Sequence, residues 1–138
     1  MIITKIHMKL RKDEFFDCYE FVSMLQMVVI KELDGRMAKV RAEVLTVYDF
    51  APKMITQNKL RAWENYDSVK RYSFELPIGV AVNLFRILIC DSKMSTKAFT
   101  SILYHRLINV MDPDFLICDF EGFMPFMNKK LESHGQQV

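Results

Sequence analysis

Residues 71–90 have the sequence RYSFELPIGVAVNLFRILIC, which combines the signatures of a strand and a helix. Apolar and polar side chains alternate in the first six residues, and this period of two predicts a short β-strand over 71–76. Pro77 follows at a first-turn position, where its missing N–H is tolerated. Residues 77–90 are apolar nearly all round, which predicts a central buried helix.

The same order of elements occurs at the N-terminus. Apolar residues alternate with Lys5, His7 and Lys9, which predicts a half-buried strand over residues 2–10. The two alternating runs lie 66 positions apart, and each precedes a helix. Because isolated strands cannot satisfy their own backbone groups, we expect 2–10 to pair with 71–76.

Local signals divide the segment between these strands. Asp13 is a candidate cap for a long amphipathic helix that ends near Gly35. Residues 36–50 fit a helical stripe and a strand equally well, and we favour a helix because its opening residues are helix-prone. We expect Pro52 to end this element. Either Thr56 or Asn58 can cap a third helix, whose apolar residues are Leu60, Trp63 and Val69.

The predicted fold is a mainly α (α+β) domain that has about five or six helices around the central apolar helix, with the short β pairing. Ser95 is a candidate cap for a further helix, and Asp112-Pro113-Asp114 should end it. We predict a single domain over residues 1–138. It has two like-built strand–helix–helix halves, 1–69 and 70–132.

The composition is that of an ordinary globular protein. The chain has 138 residues, of which 51% are hydrophobic and 26% charged, and this balance excludes disorder. The net charge of +2 is too small to imply a polyanionic partner by itself. Three widely spaced cysteines without a CxxC pair favour reduced thiols. No apolar stretch is long enough to span a bilayer or to act as a signal-peptide core, so we expect a cytoplasmic protein.

The segment from Arg71 to Leu84 resembles part of a group of small proteins encoded by mobile elements and phages of Bacteroidetes-type bacteria. In those proteins a strand of the Lys-Tyr-x-Phe-x-Leu kind also runs straight into an apolar helix. The N-terminal segment shares this layout. The resemblance implies a phage or mobile-element origin, but it carries no catalytic motif, so it transfers no functional residue.

No catalytic or cofactor-binding constellation is recognisable. The histidines His7, His105 and His134 are each expected to be solvated, and none pairs with an evident nucleophile. The four glycines are isolated, which excludes a phosphate-binding loop. The familiar metal-ligand spacings are also absent. We therefore predict a non-enzymatic protein with no metal, no cofactor and no small-molecule substrate.

Two surfaces are candidates for binding macromolecules. If the strands pair, seven basic residues gather near one face and could bind nucleic acid: Lys5, His7, Lys9, Arg11, Lys12, Lys70 and Arg71. The segment 77–110 is a second nucleic-acid candidate, because its two helices resemble a helix-turn-helix.

The other surface is an aromatic and Met-rich cluster near the C-terminus, which favours contact with a protein partner or a second copy of the chain. Its residues are Phe120, Phe123, Met124, Phe126 and Met127. Protein–protein contact is the leading functional expectation from the sequence, and nucleic-acid binding is the alternative.

Overall fold

The computed structural model describes residues 4–33, 42–89, 96–112 and Leu116. These residues form five helices and two strands, which confirms the predicted mainly helical α+β class. In chain order the elements are β1 (Lys5–Arg11), α1 (Lys12–Leu33), α2 (Ala42–Met54), α3 (Gln57–Asn65), β2 (Arg71–Pro77), α4 (Ile78–Leu88) and α5 (Lys97–Leu107).

The two strands form an antiparallel two-stranded sheet, as predicted. Met8 and Phe74 lie opposite each other at its centre. One face is apolar and buried, because alternate residues of each strand point to the same side. The buried residues on this face are Ile6, Met8, Leu10, Phe74 and Leu76.

The spacing of 66 residues seen in the sequence also relates the two strand–helix units of the structure. Adding 66 to the bounds of β1 gives the bounds of β2, and adding 66 to the first residue of α1 gives the first residue of α4. The central pair, Met8 and Phe74, is also separated by 66 positions. A local two-fold axis therefore passes between these two residues. The division into two like-built halves stays a prediction for the rest of the chain.

The helices cover the apolar face of the sheet. α1, α4 and α5 contact the strands, while α2 packs against α1 and α4. The predicted central helix corresponds to α4, whose buried residues are Val80, Ala81, Leu84, Phe85, Ile87 and Leu88. Each fully buried aliphatic side chain of this kind contributes about 1.5–3 kcal/mol to stability. The sheet consequently has one face in the core and one in solvent.

Residues 42–54 are helical, which resolves the described part of the ambiguous segment as α2. The expectation that Pro52 ends this element is wrong, because α2 continues to Met54. Pro52 is exposed, whereas Ala51 and Met54 are buried in the core. The amide of Ile55 also donates to the Ala51 carbonyl at 3.0 Å. Burial of the last turn thus offsets the hydrogen bond that a proline cannot donate.

The helix starts follow the sequence signals in part. The Thr56 hydroxyl accepts a hydrogen bond from the Lys59 amide at 3.2 Å, so Thr56 caps α3. This helix ends at Asn65, and Val69 lies beyond it with 80% of its surface exposed. At α1 the capping carboxylate is Glu14 rather than Asp13, because Glu14 accepts from the Arg11 amide. Ser95 lies outside the described residues.

Candidate nucleic-acid interface

The solvent face of the sheet carries most of the predicted basic residues. Because alternate residues share a face, β1 presents Lys5, His7, Lys9 and Arg11 on the side opposite the core. The register places the partners of these four residues, on β2, on the same side. Those partners are Pro77, Glu75, Ser73 and Arg71. Two further predicted residues, Lys12 and Lys70, lie next to the strand ends. We call these ten residues the ribbon face.

One end of the ribbon face is organised by Glu75. Its carboxylate lies 3.2 Å from the Lys5 ammonium and 3.0 Å from Nδ1 of His7. All three side chains are about half exposed or more. Ion pairs in such exposed positions contribute only about 0–1 kcal/mol. Lys5 and His7 can therefore exchange Glu75 for another anion at little cost.

The other end is organised by Glu14, the residue after Asp13 in the first turn of α1. Arg11 and Arg71 lie directly opposite each other on the two strands, an arrangement in which like charges repel. The Glu14 carboxylate, only 3% exposed, accepts from the Arg71 guanidinium at 2.8 Å and lies 3.5 Å from that of Arg11. It also accepts the Arg11 backbone N–H at 2.8 Å. Glu14 therefore holds both arginines at this end of the sheet.

The remaining cations of the ribbon face are less constrained. The Lys12 ammonium donates to the carbonyl of Glu64. Within the described ranges, the ammonium groups of Lys9 and Lys70 have no ion-pair partner. The face thus has six permanent cations near the three carboxylates of Asp13, Glu14 and Glu75. The local excess of positive charge is larger than the net charge of the whole chain.

The titratable groups of α1 do not form a reactive centre. Burial raises the pKa of the Cys18 thiol to about 12, with a smaller contribution from the charge of Asp17. This thiol is neutral near pH 7 and packs in the core, so it is a poor nucleophile. Burial also raises the pKa of Asp17, and the nearby carboxylates of Asp13, Glu20 and Glu14 add to the effect.

The described residues contain no group of three or more histidine, cysteine or acidic side chains that could hold a metal ion. His105 is exposed on α5, and His134 lies outside the described residues. In the parts of the chain that the structure describes, no helix is long and apolar enough to cross a membrane.

The second nucleic-acid candidate, the helix pair of segment 77–110, has less suitable geometry. Residues 89–96 separate α4 from α5, whereas a helix-turn-helix has a turn of about three or four residues. The first of these helices also has most of its side chains in the core. On α5 the exposed polar residues Lys97, Ser101 and His105 lie opposite the buried ones, as on any amphipathic helix.

Two functional features of the ribbon face were not predicted from the sequence, and both are carboxylates. Glu75 appeared only as a polar residue within a strand, and Glu14 only as part of a helix start. A glutamate three positions after the last strand residue matches half of a capping box, and this signal could have found Glu14. The predicted interaction surface of Phe120, Phe123, Met124, Phe126 and Met127 lies outside the described residues.

No protein-family model, curated protein or solved structure matches this chain. The resemblance to mobile-element and phage proteins therefore stays a prediction, and the function is inferred from the residues of the chain itself.

Proposed function

We propose that this protein binds nucleic acid through the ribbon face. The observation that carries the proposal is the sheet itself, which is buried on one face and covered with cations on the other. Lysine and arginine side chains that neutralise phosphates release counterions, and this release supplies most of the non-specific affinity for nucleic acids. A two-stranded sheet supported by helices also holds these cations in fixed relative positions.

The ion pairs on the ribbon face are compatible with this role. The contacts of Lys5 and His7 with Glu75 are exposed, so a phosphate can replace the carboxylate at small cost. The ammonium groups of Lys9 and Lys70 need no exchange. Arg71 is different, because its contact with the buried Glu14 makes it part of the support. The cations suited to test the proposal are therefore the lysines.

The test compares two triple variants with the same change of charge. One is Lys5→Ala/Lys9→Ala/Lys70→Ala on the ribbon face. The control is Lys53→Ala/Lys59→Ala/Arg61→Ala, which removes three exposed cations of α2 and α3. Fluorescence anisotropy with a labelled 20-base-pair duplex, at several salt concentrations from about 50 to 200 mM, gives the affinity and its salt dependence.

We expect the unmodified chain to bind with an affinity that falls steeply as salt rises. The slope of log K against log salt should become shallower by about 0.9 for each removed lysine that contacts a phosphate. The control should retain both affinity and slope. Absence of binding by the unmodified chain at the lowest salt would refute the proposal, as would equal losses in the two variants.

Association with a protein partner or a second copy is our second proposal. Among the described residues, Met27 and Ile30 of α1 are 62% and 56% exposed. They are three positions apart and so lie on one side of the helix. Exposed apolar side chains that lie together often mark contact surfaces. Together with the predicted C-terminal surface, they support association without identifying what is bound.

A further inference from the structure

We infer that the ligand of the ribbon face is double-stranded DNA, that the two strands enter its major groove, and that His7, Lys9, Ser73 and Glu75 contact base edges there. This inference rests on the proposed function and makes it specific. These four residues form the two outward cross-strand pairs nearest the centre of the sheet, His7 with Glu75 and Lys9 with Ser73.

The dimensions of the sheet suit this groove. Two paired strands are about 4.8 Å apart, and the major groove of B-DNA, about 12 Å wide, admits a two-stranded ribbon. Outward side chains on one strand recur about every 6.7 Å, close to the length of two base-pair steps of about 3.4 Å each. The outward residues from Lys5 to Arg11 thus extend over about six base pairs.

The side chains of the ribbon face disfavour the other classes of nucleic acid. Proteins that bind single strands stack the bases on exposed aromatic rings. The outward positions of both strands contain no phenylalanine, tyrosine or tryptophan, and Tyr72 and Phe74 lie on the opposite face. The major groove of A-form RNA is too deep and narrow for side chains to read. B-form DNA is the remaining ligand that fits an unstacked, polar ribbon.

The local two-fold axis relates the ends of the ribbon but not its centre. Adding 66 to Lys5 gives Arg71, so equivalent corners both carry a cation. The same shift pairs His7 with Ser73 and Lys9 with Glu75, which differ in chemistry. The cations at the corners are suited to the phosphates on either side. The unlike central residues should read unlike base pairs, so we expect an asymmetric site.

Glu75 is the residue that most favours base recognition over simple attraction to phosphates. A carboxylate in the middle of a cationic face weakens the attraction of that face for any polyanion. It becomes useful where it accepts a hydrogen bond from the amino group of cytosine, which lies in the major groove. Lys9 can donate to O6 and N7 of guanine in the same groove. The preferred site should therefore contain G·C pairs at its centre.

The experiment begins with selection of bound duplexes from a library with a random 12-base-pair centre, using the full chain. We expect one asymmetric sequence containing G·C pairs to be enriched. Affinities for this duplex and for a scrambled duplex are then compared between the unmodified chain and Glu75→Gln. The substitution should reduce discrimination about 5- to 100-fold, while binding to the scrambled duplex stays equal or becomes tighter. Lys53→Ala serves as the control and should change neither value.

Modified and single-stranded probes test the groove directly. N7 of the purines is exposed only in the major groove, so replacing the purines of the selected site with their 7-deaza analogues should weaken binding about 5- to 100-fold. The single strands and the matching RNA duplex should bind at least tenfold more weakly than the DNA duplex.

The outcomes separate the two proposals. If no probe binds at low salt, the proposed function fails and the inference fails with it. If the chain binds without enriching a sequence, binds single strands or RNA as well as duplex DNA, or tolerates the 7-deaza purines, the inference is wrong and the proposed function stands. Equal discrimination by the unmodified chain and Glu75→Gln would remove Glu75 from the reading residues and overturn its part of the inference.

Discussion

At the scale of single residues, Glu14 is the side chain that connects both strands to the first helix. It accepts the backbone N–H of Arg11, at the end of β1, and the guanidinium of Arg71, at the start of β2. It belongs to α1, so one carboxylate contacts three elements. A carboxylate this buried is tolerated because it is hydrogen-bonded and flanked by cations.

Substitution of Glu14 should be among the most destabilising changes at the sheet. Glu14→Ala leaves Arg11 and Arg71 facing each other and removes the acceptor for the Arg11 amide. We expect a loss of about 2–3 kcal/mol in the free energy of unfolding, because the arginines stay partly solvated. Glu14→Gln keeps a capping acceptor and should cost less. Urea unfolding followed by circular dichroism measures both, and equal losses would show that capping contributes nothing.

At the scale of elements, each strand passes into its helix without a connecting loop. β1 ends at Arg11 and α1 begins at Lys12, while β2 ends at Pro77 and α4 begins at Ile78. The amide of Ile78 donates to the carbonyl of Thr4 at 3.0 Å, which ties the start of α4 to the chain just before β1. These direct junctions fix the helices relative to the sheet and leave its other face uncovered by the elements they join.

The short helix α3 depends more on its cap than the longer helices do. It has nine residues, and Trp63 is its buried residue. That ring stacks on Phe15 at a centroid distance of 4.3 Å, which anchors α3 to α1. Thr56→Ala removes the acceptor for the Lys59 amide and should lower the free energy of unfolding by about 1 kcal/mol. Thr56→Ser keeps the hydroxyl and should lie close to the unmodified protein in the same urea titration.

At the scale of the whole molecule, the two predicted halves share one core. β1 pairs with β2 although more than fifty residues separate them, α2 packs against α4, and α5 contacts both β1 and α1. The buried residues of all seven elements belong to a single hydrophobic cluster. Each half therefore depends on the other for the burial of its apolar surface.

Self-association belongs to the same scale, and two double variants separate its candidate surfaces. Met27→Ser/Ile30→Ser alters the exposed pair on α1, and Phe123→Ser/Met127→Ser alters the predicted C-terminal surface. If copies associate, sedimentation velocity at increasing concentration should show a larger species that one of these variants removes. A monomer at every concentration would contradict self-association, and a complex that persists in both variants would exclude these surfaces.

The alternating and helical periods of the sequence were enough to predict the strands, the central helix and the pairing of residues near Met8 with those near Phe74. They succeed because burial of one face imposes its period on the residues. The end of α2 at Met54 was not predictable in this way. Local propensity opposes a helix at Pro52, and only the packing of Ala51 and Met54 in the core outweighs it.

The sequence by itself also determined which residues are basic and, through their alternation, that Lys5, His7 and Lys9 share one face. Only the tertiary structure decided how that face is charged. Glu75 and Glu14 reach their cationic partners across strands and from a helix, over separations of up to 70 residues. Such contacts depend on register and on the direction of side chains, which no local pattern contains. The ribbon face is consequently a basic surface with carboxylates at set positions, rather than a uniform patch of positive charge.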